Sequence, residues 1–145
     1  MEIHTIGFTK KSAAEFFEAL RRGGIGRLID VRLNNTSQLA GFAKRDDLRY
    51  FLQEICGADY HHEPLLAPTP EILDAYKKKS IDWEQYAVQY RDLLIAREAE
   101  NAVDRRLFDV HAVLLCSEPT AEHCHRRLAA EYLAEHWADV KIVHL

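Results

Sequence analysis

Short apolar runs separated by helix-length stretches of chain constrain this sequence more than any other feature. "IHTIG" at 3–7, "RLIDVR" at 27–32, "HAVLLC" at 111–116 and "VKIVHL" at the end read as strands, and "ADYHH" at 58–62 reads as another. β-Branched residues predominate in the first run, and Gly7 ends it where the backbone must turn or pass close to something. The apolar centre of "RLIDVR" suits a sheet covered on both faces. Strands that alternate with helices favour a largely parallel sheet, because each parallel crossover needs a helix-length connection.

The intervening segments carry helix signals. Ser12 followed by Glu15 forms a capping-box pattern ahead of Phe16, Phe17 and Leu20, and Gly23-Gly24 stops that helix. Asp46 or Asp47 is expected to cap a helix containing Leu48, Phe51, Leu52 and Ile55, with Gly57 as its stop. Thr69 can cap a helix that has Pro70 in its first position. From Ser80 to about Glu100, Trp83, Tyr86, Ala87, Tyr90, Leu93 and Leu94 recur at helical spacing. Glu118 to His136 is expected as the last helix, with Pro119 near its first turn. Residues 33–45, rich in Asn, Thr, Ser and Gly, read as a loop long enough to suggest a role in function.

At 145 residues, with 48% hydrophobic and 29% charged content, the chain is expected to form one domain over 1–145. No apolar run approaches the length of about 18 residues needed to cross a membrane, and the first residues lack signal-peptide features, so no membrane association and a cytoplasmic location are expected. Three cysteines in such a chain argue against a disulfide framework and for reduced thiols. The net charge of −4 disfavours non-specific duplex binding, which needs a broad basic surface, and leaves room for a local basic site. Lys77 to Lys79, followed by Asp82 and Glu84, read as a solvated helix end.

The motifs "TIG", "LIDVR", "NNTSQLAGF", "DDLRYFL" and "LLCSE" followed by "HCHRRLAAEYL" occur in an order and spacing that resembles the domain-of-unknown-function 488 family over essentially the whole chain. The resemblance implies a Rossmann-like α/β fold, a largely parallel sheet flanked by helices, and no established activity. Asp30, Arg32, Cys116, Glu118, Cys124, His125 and Arg126 match recurrent positions of the family. Phe8 stands where the family commonly has a histidine, so no role of that histidine carries over.

In an open parallel sheet, ligands gather at the carboxyl ends of the strands. Gly7, Arg32 and Cys116 are expected there, beside a helix N-terminus suited to an anion. The leading expectation is therefore an anionic small-molecule or nucleotide-like ligand, with single-stranded nucleic acid as a further possibility that the net charge does not favour. Arg32 and Arg126 would hold charge, Ser117 and Glu118 would present backbone groups, and residues 34–45 would cover the ligand, with Phe42 able to stack on a planar group. The plain alternative for Arg32 is an ion pair with Asp30 or Glu118, and for Phe42 a plug in the loop.

Two other readings of "LLCSEPTAEHCHRR" stay open. In an enzyme of unknown substrate, Cys116 near a helix N-terminus would be the nucleophile and His125 its acid or base. "LIDVR" superficially resembles a rhodanese strand, yet no cysteine here begins a C-x5-R anion loop. In a metal-stapled domain, Cys116, Cys124 and either His125 or His123 would hold zinc or iron. Inside a helix, however, Cys124 would point roughly 100° from His125, which hampers joint ligation unless the helix begins later. Trp83, Tyr86 and Tyr90 read as a core stripe.

Overall fold

Alternation along the strands decides which side chains feed which layer. The computed structural model describes residues 1–36, 41–118 and 121–145. Strands β1 (Glu2–Gly7), β2 (Arg27–Asp30), β3 (Asp59–His62), β4 (Ala112–Cys116) and β5 (Lys141–His144) form a sheet in the order β3-β2-β4-β1-β5. All of its neighbouring pairs are parallel. Helices α1 (Ala13–Arg22), α2 (Arg45–Phe51), α3 (Pro70–Lys77), α4 (Trp83–Ala96), α5 (Ala99–Ala102) and α6 (His125–His136) complete a Rossmann-like α/β architecture, as the strand pattern and the resemblance led one to expect.

Odd and even positions of β4 separate cleanly. Ala112, Leu114 and Cys116 join Ile3, Ile29 and Val31 in a core under α4, α5 and α6, with Tyr90, Leu94 and Leu133. Val113 and Leu115 join Ile6 and Leu28 on the other face, under Phe16, Phe17 and Leu20 of α1 and Leu48 of α2. Both faces of the central strands are therefore dry, the usual condition of a parallel sheet.

Several local signals operate as read. Ser12 and Glu15 form the capping box of α1, and Thr69 caps α3 behind Pro70. A π-helical turn, Leu52–Cys56, extends α2 and ends at Gly57 with φ of 61°. In that left-handed region a side chain would be strained. Other boundaries differ. The residue capping α2 is Lys44, without a side-chain hydrogen bond, rather than Asp46 or Asp47, which lie in its first turn. The stretch from Ser80 to Glu100 gives a shorter helix, α4, held at its start by a capping box of Asp82 and Gln85, and Glu98 at φ 50° separates it from α5. The last helix begins at His125, not Glu118. The Glu118 carbonyl accepts from the Arg126 guanidinium at 2.6 Å, and residues 121–124 form a turn ahead of the helix. Pro119, and residues 37–40 of the long loop, lie outside the described residues. Among the described residues no helix is long and apolar enough to cross a membrane.

The connection after β2 leads to α2 on one face, while that after neighbouring β4 leads to α6 on the other. Adjacent strands whose connections part in this way open a crevice at their carboxyl ends.

Candidate functional site

The crevice between β2 and β4 is a cavity of about 400 Å³. Arg32, Leu33 and Asn34 form one side of it, and Cys116, Ser117, Glu118, Cys124 and His125 another. A third wall is aromatic and comes from Tyr76 at the end of α3, Trp83 and Tyr86 at the start of α4, and His123. Trp83 stacks on His123 at 4.9 Å and on Tyr86 at 5.5 Å between ring centroids. Lys77 also contributes.

Asp30 and Arg32, two residues apart, leave the end of β2 on the same side. Arg32 donates from Nε and Nη2 to the two Asp30 carboxylate oxygens, each at 2.8 Å. The Arg32 amide and the Tyr60 hydroxyl also donate to this carboxylate, at 3.1 and 2.6 Å, and Asn35 Nδ2 donates to the Tyr60 oxygen at 3.1 Å. Burial and the Asp30 charge push the Tyr60 hydroxyl pKa well up, so it stays a donor. Four donors saturate Asp30, which makes it a structural partner rather than a base. Arg32 is 3% exposed, with its guanidinium over the Phe8 ring, and its Nη1 is buried with no hydrogen-bond partner among the described residues. A buried guanidinium nitrogen without an acceptor is costly, and such orphans mark places where a group is missing.

His125 Nε2 lies 2.8 Å from the Val31 carbonyl. That oxygen only accepts, so Nε2 carries the proton and Nδ1 keeps a lone pair. Burial holds the imidazole pKa down at about 4, against a smaller upward pull from the Val31 bond, so the ring is neutral at pH 7.

The sulfurs of Cys116 and Cys124 are joined as a disulfide, and Cys56 is free. This differs from the reduced thiols expected from the cysteine count: the late start of α6 makes Cys124 the residue preceding the helix and turns it toward the end of β4. For the same reason the roughly 100° divergence of Cys124 and His125, a property of residues inside a helix, does not apply. The two sulfurs and a His125 ring nitrogen lie within 4.8 Å of one another.

Arg126 is 1% exposed and lies outside the cavity wall. Its Nη1 donates to the Glu118 carbonyl and contacts Cys116 Sγ at 3.4 Å, while burial lowers its pKa to about 10. It is placed as a staple of the β4–α6 connection rather than beside Arg32. Phe42 also sits away from the cavity, packed on Phe8, Phe16 and Phe17 as the loop plug that was its alternative. Gly7 lies against Glu118 so closely that a Cβ there would meet the carbonyl oxygen at 1.5 Å.

A family model described as "Domain of unknown function DUF488" matches residues 12–133. The chain belongs to this family. Searches of curated proteins and of solved structures gave no match. Of the residues that carried the resemblance, Arg32, Cys116, Glu118, Cys124 and His125 line the cavity together, whereas Asp30 and Arg126 hold it from behind. Sequence reasoning missed the aromatic wall. Tyr86 and Tyr90 do pack in the core, but Trp83 is only partly buried, and His123 and Tyr76, far apart in sequence, meet it only in three dimensions.

Proposed function

We propose that this DUF488 protein binds a small anionic molecule with a planar, nucleotide-like portion in the cavity between β2 and β4. The observation that carries the reading is Arg32, a buried residue lining a cavity faced by Trp83, His123 and Tyr86, whose guanidinium keeps one nitrogen, Nη1, without an acceptor among the described residues. An anionic oxygen would satisfy Nη1 by a charge-assisted hydrogen bond. The planar portion would lie on the aromatic wall, where stacking contributes about 1–3 kcal/mol per ring. Lys77 would add charge at the margin. Net charge and the modest size of the cavity favour a small molecule over a nucleic-acid strand.

The experiment is calorimetric titration with a panel of nucleoside mono- and diphosphates, inorganic phosphate and simple carboxylates. Binding of a planar anion that weakens at least tenfold in Trp83→Ala and in Arg32→Lys supports the reading. Equal affinity in the parent and both variants for every ligand that binds would refute it.

A second reading rests on the Cys116, Cys124 and His125 group. When the cysteines are reduced, two thiolates and the His125 lone pair would offer three soft donors to zinc or iron, with the Val31 carbonyl fixing the imidazole tautomer. The cysteine-enzyme reading draws on the same reduced state, in which the Arg126 guanidinium beside Cys116 would favour a thiolate. Elemental mass spectrometry on untagged protein purified under reducing conditions separates the two: stoichiometric metal favours the former, and metal-free protein with one fast-alkylating thiol favours the latter.

A further inference from the structure

At the opposite, N-terminal edge of the sheet lies a second group of side chains that neither the family nor the cavity accounts for. Glu2 and His4 share a face of β1, and His111 precedes β4 alongside them. One Glu2 carboxylate oxygen lies 3.3 Å from His4 Nε2 and 3.6 Å from His111 Nε2, and the three groups fall within 4.8 Å of one another. We infer that Glu2, His4 and His111 form a binding site for a divalent transition ion of the zinc class.

Proton bookkeeping first points there. His111 Nδ1 faces the Gly23 carbonyl at 3.4 Å, which only accepts, so Nδ1 carries the proton of the neutral ring. The His111 Nε2 lone pair then looks at a carboxylate oxygen, a repulsive pairing that either a proton on that nitrogen or a metal ion between the two relieves. A ligating histidine whose other nitrogen donates to a backbone carbonyl is the usual outer-shell arrangement of a metal site. His4 is the second sign: it is 5% exposed, and its Nε2 faces the same Glu2 oxygen at 3.3 Å, so a buried imidazole and an exposed one converge on a single carboxylate.

Distances agree. Donors about 2.0–2.1 Å from a tetrahedral zinc lie about 3.3–3.4 Å from one another. The two distances to Glu2 are close to that edge, and the third, between the two rings, is within 4.8 Å and closes as the rings turn inward. Two imidazoles and one carboxylate suit zinc, cobalt or nickel better than calcium or magnesium, which prefer oxygen. His111 and Glu2 are part-exposed, which leaves a fourth position to water. The site is separate from the Cys116 cluster, which lies at the far end of β4.

The test is zinc titration by chelator competition on untagged full-length protein with the Cys116–Cys124 pair oxidised, accompanied by cobalt substitution. The expected result is one ion per chain, cobalt ligand-field bands in the visible without a thiolate charge-transfer band, and an affinity that falls more than about tenfold in His111→Ala and in Glu2→Gln. His111 is mostly exposed, so its removal leaves the fold intact; Glu2→Gln provides an independent second loss. Absence of zinc binding in the micromolar range, a thiolate band, or unchanged affinity in both variants would each overturn the assignment. A single protonated histidine paired with Glu2 would give the first of these results.

Discussion

Replacing Gly7 with alanine should cost far more than the single methyl group suggests. The added Cβ would lie 1.5 Å from the Glu118 carbonyl oxygen and 2.8 Å from Arg126 Nη1. A tolerable carbon–oxygen contact is about 3.3 Å, so Glu118 must retreat by about 1.8 Å. That movement breaks the 2.6 Å hydrogen bond from Arg126 to Glu118 and leaves a guanidinium that is 1% exposed short of an acceptor. Losing a charged hydrogen bond costs about 1.5–3 kcal/mol and overpacking a further 1–3, giving about 3–6 kcal/mol in all. Equilibrium urea unfolding followed by tryptophan fluorescence measures this directly. Gly41→Ala is the control, since among the described residues nothing lies within 4 Å of a Cβ there, and it should stay within about 0.5 kcal/mol of the parent. A Gly7→Ala protein within about 1 kcal/mol of the parent would refute the close approach of β1 to the β4–α6 connection.

Asp30→Asn should destabilise by about 3–5 kcal/mol because it strands the buried Arg32 charge, whereas Tyr60→Phe removes one of four donors and should cost about 1 kcal/mol; similar urea midpoints for the two would contradict the saturated Asp30. His125 has a folded pKa of about 4 against an ordinary value of 6.5, so the unfolded chain binds the extra proton between those values. Its contribution is fully present above pH 6.5 and lost as the pH falls toward 4, by at most about 3 kcal/mol, and His125→Asn should flatten that slope in unfolding curves at pH 7.5 and 4.5. In denaturant without reductant, protein prepared oxidised should show one reactive thiol, Cys56, and three after reduction. Three thiols before reduction would contradict the Cys116–Cys124 link.

Periodicity carried the fold. The strands, the Ser12 box and the Gly57 stop were legible because each depends on residues within a few positions of one another. The start of α6 was not, because the Glu118 carbonyl is taken by the side chain of Arg126, eight residues on, a contact that no local pattern announces. The cavity was legible on one side only. Arg32, Ser117 and Glu118 stand at strand ends, a position the sequence reveals, whereas Trp83, Tyr76 and His123 come from three separate segments with the spacing of ordinary core residues. Arg126 was read from its place in a motif and Phe42 from its place in the long loop, neither of which carries a direction, and neither residue lines the cavity. The Glu2, His4 and His111 group went unread since its members lie on two strands whose adjacency is a matter of topology.

The Asp30 clamp also sets how this edge of the sheet meets the ionic medium. Asp30 and Arg32 together are neutral, so what remains at Nη1 is an oriented N–H dipole rather than a net charge, already frozen in place by two hydrogen bonds to the carboxylate. Dipoles of this kind are barely screened by mobile ions, in contrast with exposed charges beyond a Debye length of about 8–10 Å. A partner reaching Nη1 would find a side chain whose rotamers need no further ordering, a saving of about 0.5–1.5 kcal/mol. The salt dependence of anion binding there should therefore be carried mainly by Lys77 at the margin, with the Arg32 contact governed by fit.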